Sequence, residues 1–173
     1  MKKNILFVAV ISILLLTGCG SVSLVSNSES DQAKKFLPPS PGKSGIYIYR
    51  QNRFIGGGVR RGLWIDNECI GRTKNAIFYY HEVEGDKEHT ITSEGEFTPS
   101  TIVIYTESGE LYFVEQTIVF GLVVGGSAIE VIDEKQAKPI LLGISRGSSF
   151  SMANKGNCTP GLLWGKDEEE QLN

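Results

Sequence analysis

The sequence predicts an all-β fold: a single small antiparallel β-sandwich or partly open barrel. Three observations predict it. From Gly45 onward, short runs rich in β-branched and aromatic residues alternate with Gly, Asn and Asp turn signals. No long stretch carries the apolar period of a helix, which leaves no room for the crossover helices that an α/β sheet requires. The 20 glycines among 173 residues suit a chain that turns often. Hydrophobic residues make up 40% of the chain, enough for one core, and a charged content of 21% excludes wholesale disorder.

In chain order, Lys2 and Lys3 precede an apolar run from Ile5 to Leu16. The run falls short of the about 20 residues that span a bilayer and has the length of a signal h-region. Leu16-Thr17-Gly18-Cys19 follows at once. This tetrapeptide resembles the lipobox of bacterial lipoproteins. The resemblance implies cleavage between Gly18 and Cys19, acylation of Cys19, and attachment to the membrane through that lipid. Gly20 stands where an Asp would resemble an inner-membrane retention signal, so the expected location is the bacterial cell envelope, on the outer membrane facing the periplasm. Residues 1–18 are read as the lipoprotein signal peptide and 19–41 as a lipidated tether. The tether is polar, has a helical turn expected over Asp31 to Phe36, and is stiffened by Pro38, Pro39 and Pro41. Gly42-Lys43-Ser44 mimics the end of a phosphate loop, but Leu37 stands where the motif needs its first Gly.

The sandwich is placed at residues 42–142. Ile46 to Tyr49 opens it. Asp66-Asn67 joins Leu63-Trp64-Ile65 to Glu68-Cys69-Ile70 as a two-residue hairpin, with Ile65 opposite Glu68, Trp64 opposite Cys69 and Leu63 opposite Ile70. Alternation puts Ile77, Tyr79, His81 and Val83 on one face of the next strand. Gly85-Asp86 is expected to turn it into the strand Lys87 to Thr92. Ser108-Gly109 is expected to close a hairpin that pairs Ile104 with Phe113 and Tyr105 with Tyr112. Gly121, Gly125 and Gly126 suggest a bend or bulge. Asp133 is an N-cap for one helical turn that Pro139 should stop, and Ile140 to Leu142 reads as an edge strand. Residues 143–173 read as a flexible tail with an acidic end.

The stretches Gly45 to Arg50, Leu63 to Gly71, Phe78 to His81 and Gly85 to Ile91 together resemble a family of uncharacterised bacterial lipoproteins whose domain has no assigned function. Their layout is similar to the PEGA type of small surface β-domain. The resemblance covers about Pro38 to Ile132, and its motifs are turn and core residues. It implies an immunoglobulin-like or PEGA-like accessory sandwich on the cell envelope.

Candidate chemistry is sparse. Without Lys2 and Lys3 the 17 basic residues fall to 15 against 20 acidic ones, a net charge of −5. A mildly acidic chain with no basic cluster gives phosphates little to bind, so no nucleic-acid partner is expected. His81 and His89 flank Gly85-Asp86 and are weak metal candidates: a three-residue loop would set them opposite each other, and a two-residue loop would not. Cys69 and Cys158 are the thiols left once Cys19 is acylated, and an oxidising envelope permits a disulfide between them. The two histidines have no plausible Ser/Asp partnership of the triad kind, so catalysis and cofactors are not expected. Tyr47, Tyr49, Trp64, Phe78, Tyr79, Tyr80, Tyr105, Tyr112 and Phe113 are expected to fill the core more than to line a sugar- or peptide-binding face. The function expected is a non-enzymatic accessory domain that binds an envelope protein or cell-wall polymer, with edge strands as docking surface. The alternatives are a small-molecule carrier and a metal-dependent enzyme centred on His81 and His89.

Overall fold

The computed structural model describes residues 22–119, 125–143 and 149–158. Gly18 and Cys19, Gly121 and the acidic end of the tail lie outside the described residues. The described residues form helix α1 (Asn27–Ala33), strands β1 (Lys43–Arg50), β2 (Arg61–Ile65), β3 (Glu68–Thr73), β4 (Ile77–Glu84), β5 (Lys87–Ser93), β6 (Ser100–Thr106), β7 (Leu111–Val119) and β8 (Gly126–Ile132), helix α2 (Glu134–Leu141) and strand β9 (Ser151–Met152). The fold is all-β, in two sheets ordered β8-β7-β1-β4-β9 and β3-β2-β5-β6.

Alternation along β1 sorts its side chains between two cores. Ile46 and Ile48, with Ile77, Tyr79, Val83, Val114 and Ile129, face Leu63, Ile65, Ile70, Ile91 and Ile104 of the four-stranded sheet. Tyr47 and Tyr49, with Phe78 and Phe113, lie on the other side of the five-stranded sheet, beneath Ala137, Leu141 and Phe150. Helices thus cover the outer face of one sheet and make a third layer. Burying each of these rings contributes about 2–3 kcal/mol.

Several expectations need correction. The larger sheet is mixed, not antiparallel: β1 pairs with β7 and β4 with β9 in parallel. The cause lies in the turns. Neither Gly85-Asp86 nor Ser108-Gly109 closes a hairpin, because β4 and β7 belong to the five-stranded sheet and β5 and β6 to the other. Both turns are corners between sheets, and they send β7 back alongside β1 in the same direction. They brace each other, with Ser108 N–H and Oγ donating to the two oxygens of Asp86 at 3.1 and 2.7 Å. A Cβ on Gly85 would collide with Ser108.

The Asp66-Asn67 hairpin forms with both residues at positive φ (50° and 66°), and Ile65–Glu68 and Trp64–Cys69 pair as expected. The third pair differs. A bulge sets Leu63 opposite Gly71 instead of Ile70.

Residues 22–41 are not a free tether. Ser26 and Glu29 form a capping box that starts α1 earlier than the turn expected at Asp31. Phe36 packs edge-on against Tyr47 and Phe113, at 5.3 and 5.9 Å between ring centroids. The tail differs in the same way over residues 149–158. β9 adds to the edge of β4, and Leu24 bridges to Ala153.

Asp133 does cap α2, accepting from Lys135 N–H at 2.8 Å. Pro139 sits inside that helix without stopping it. Its absent N–H forfeits one backbone bond near a helix end, while Leu142 N–H still reaches Lys138 O at 3.0 Å. The expected edge strand at Ile140 to Leu142 is therefore the end of α2.

Candidate functional site: the loop end of the sandwich

The connections at 51–60, 74–76 and 94–99 gather at one end of the sandwich, beside the ends of β7 and β8 at Val119 and Gly126. The first is tied down from below. Arg50 is 3% exposed, and its guanidinium donates to Val59 O at 2.6 Å and to Gly56 O. Asn75 Nδ2 donates to Arg53 O at 2.6 Å and to Asn52 Oδ1 at 3.0 Å. Gly56 has φ +74° and lies so close to Ile118 that an added Cβ would fall 2.7 Å away. On this braced turn Phe54 is 102% and Ile55 58% exposed, next to exposed Arg53. Phe97 is 69% exposed on the neighbouring loop, and Val119 at the end of β7 is 42% exposed. An apolar pair held out into solvent by a fixed turn is a mark of an interaction surface.

Beneath the apolar tips lies a buried polar layer. Glu115 accepts from Gln51 Nε2 at 2.9 Å and Arg53 Nη2 at 2.8 Å, with Tyr49 Oη at 3.4 Å. Glu94 accepts from Gly62 N–H at 2.8 Å, and Glu96 from Gly125 N–H at 3.2 Å. Gln116 Nε2 donates to Ser93 Oγ at 2.6 Å and its Oε1 accepts from Thr73. Burial, with the nearby Arg61 charge, pulls the Arg50 guanidinium down to about 10, so it stays charged at neutral pH. Burial pushes the Tyr49 phenol upward, helped by Glu115. These carboxylates brace loops and strand ends. They accept from backbone and side-chain donors.

The metal candidates come out differently from their sequence reading. His81 and His89 are on strands of different sheets, so the opposed register that a shared metal needs does not form. His89 is 3% exposed, with Nδ1 2.5 Å from Asp66 Oδ2 and Nε2 2.7 Å from Glu84 O. Both ring nitrogens sit against oxygen atoms, which leaves neither open to an ion. His81 is half-buried, and burial holds it below its ordinary value despite the raising effect of Glu68. Among the described residues no group of three or more His, Cys, Asp or Glu converges to hold a metal.

Cys69 and Cys158 are joined in a disulfide with Cα atoms 5.7 Å apart. It ties the segment following β9 to β3, and so bridges the two sheets on their open side. Of the aromatic set, Tyr47, Tyr49, Phe78, Tyr79 and Phe113 are core, while Tyr105 is 56% exposed on the outer face of β6. Cys19 lies outside the described residues, and no described helix is long and apolar enough to cross a membrane.

Sequence reasoning passed over Phe54, Ile55 and Phe97. The signal for the first two was present: two large apolar residues within a Gly-rich turn region, flanked by Arg53 and Arg60, where a turn needs none.

A family described as a protein family of unknown function, DUF2846, matches residues 40–127. The chain is also 42% identical over 125 residues to an uncharacterized protein of Haemophilus influenzae, covering 72% of this chain and 73% of that protein. No solved structure matches it.

Proposed function

Since the chain belongs to the DUF2846 family, which is described by no activity, we propose its function from geometry and sequence together. It is a lipid-anchored lipoprotein of the bacterial envelope, held by acylated Cys19. Its domain acts without catalysis, as an accessory module that docks a partner protein through its loop end. The observation that carries the docking reading is Phe54, fully exposed on a turn fastened by Arg50 and Asn75. A braced turn loses little conformational freedom on binding, which favours it as an anchor residue. The PEGA-like resemblance supports the same class of role, since its motifs carry turns and core and no chemistry. A carrier would need open space between the sheets, and there Ile46, Ile48, Leu63, Ile77 and Ile91 are each 2% exposed or less. A metal-dependent enzyme would need His89 released from both of its acceptors.

The test is site-specific photocrosslinking in intact cells, with the crosslinking residue at position 54, 55 or 97 and at exposed Gln136 on α2 as the control. One discrete protein adduct from the loop positions, lost from positions 54 and 97 in an Ile55→Asp background and absent from position 136, is the expected result. Equal crosslinking at loop and control positions overturns the docking reading.

A further inference from the structure

We infer that the end of the sandwich opposite the loop end faces the bilayer, so that Phe54, Ile55 and Phe97 point away from the membrane that holds the chain. The inference rests on the acylated Cys19 of the proposed function. It adds direction, which the sequence motif does not contain.

Strand polarity supplies the direction. β4 runs from the loop end, at Ile77, to the far end at Glu84. β9 runs parallel to it, with Met152 level with Phe78. The segment that precedes α1 is antiparallel to β9: Leu24 bridges Ala153, Val25 N–H reaches Met152 O at 3.0 Å, and Asn154 N–H reaches Ser23 O at 3.0 Å. Read backward from Val25 to Val22, the chain therefore travels toward the far end. This pairing puts Val22 near the level of His81, three residues short of the end of β4 at Glu84.

The length of chain between anchor and fold supplies the distance. Val22 already packs against the inter-sheet core. Two residues, Gly20 and Ser21, separate it from Cys19, so three Cα steps give a reach of at most about 10 Å. That equals the three residues of strand left to the far end, also about 10 Å. An extended chain from Val22 is thus long enough for the acylated residue to reach the plane of the far-end turns. The loop end is out of reach: from Val22 it lies four strand residues, about 13 Å, in the opposite direction, before the height of the 51–60 turn is added.

The far end bears Asp66, Glu68, Glu84, Asp86, Glu107 and Glu110, all exposed, against Lys43, Lys87 and Lys155. This surface has no cationic excess to attract anionic headgroups, so the lipid and the short leash set the orientation.

The test uses the full acylated chain in vesicles of phosphatidylethanolamine and phosphatidylglycerol containing a headgroup acceptor dye. Donors are placed on Lys87→Cys at the far end and on Phe54→Cys or Phe97→Cys at the loop end. All three positions are exposed, so labelling leaves the cores intact. The strands separate the two ends by eight residues of β4, about 26 Å, so transfer from position 87 is expected to exceed that from 54 or 97 by about twofold or more. Equal transfer, or stronger transfer from 54 or 97, overturns the orientation. Intact mass is read on the same samples. Absence of acyl mass overturns the anchor and the orientation together, whereas an acylated chain with the reversed transfer order overturns the orientation alone.

Discussion

The carboxylate of Asp66 in the β2–β3 turn lies 2.5 Å from the imidazole of His89 on β5, and its other oxygen accepts from Thr90 N–H at 2.9 Å. Asp66 therefore fixes the hairpin turn to the neighbouring strand, and His89 passes the connection on to Glu84 O in the other sheet. Burial works to raise the Asp66 carboxyl, but the hydrogen bonds from His89 and Thr90 and the nearby charges of His89 and Lys87 outweigh it and hold it below its ordinary value.

Two titrations make the fold weaker in acid. A histidine held below its ordinary value, as His81 is, binds a proton more readily when unfolded, so its contribution fades as pH falls below about 6.5. Asp66 is depressed, so the stability it supplies is present above about 3.9 and is lost as pH falls through its folded value. Urea midpoints should decline from pH 7 to 5 and again below pH 4. His81→Gln should flatten the first decline, and Asp66→Asn should lessen the second, to which Glu29, Glu68, Glu82, Glu84 and Asp86, also held low, contribute. An unchanged profile in both variants contradicts this assignment.

Replacing His89 by Leu removes its ring contacts from Asp66 Oδ2 and Glu84 O and should cost about 2 kcal/mol of unfolding free energy. Zinc titration of the full chain, followed by calorimetry, should show no saturable site that His89→Leu removes. A site of that kind would restore the metal reading.

The disulfide closes a loop with a sequence separation of 89. In the chain-entropy account such a loop is worth about 3–5 kcal/mol. Reduction, or the paired change Cys69→Ser and Cys158→Ser, should lower the urea midpoint accordingly. An unchanged midpoint would contradict a stabilising role for the cross-link.

Phe36 tests the folded status of the segment read as a tether. Its ring contacts Tyr47 and Phe113, with Lys138 Nζ 5.1 Å above it. Phe36→Ala should cost about 2 kcal/mol, measured by chemical denaturation. A free tether would give no change.

Strand positions were readable because period-2 patterning is local. Ile77, Tyr79 and Val83 share a core face as the alternation requires. Strand partners were less readable. Asp66-Asn67 makes a hairpin while Gly85-Asp86 and Ser108-Gly109 make corners between sheets, and local turn chemistry is compatible with either outcome. The sequence of α1 held an unread signal, Ser26 followed three residues later by Glu29, which is the capping-box spacing. β9 has two residues and pairs only through tertiary contact, so no periodicity could announce it. The loop-end tips escaped notice because exposure is a property of the fold. An Ile in a loop reads the same whether it is buried or held out by a braced turn.

The most direct test of the anchor is intact-mass analysis with membrane fractionation of the wild type and Cys19→Ser. The proposed function predicts a wild-type chain beginning at Cys19, carrying acyl mass and sedimenting with membranes, and a serine variant that carries no acyl mass and loses processed, membrane-bound product. A serine variant that fractionates with membranes at wild-type abundance, beside a wild type without acyl mass, would contradict it.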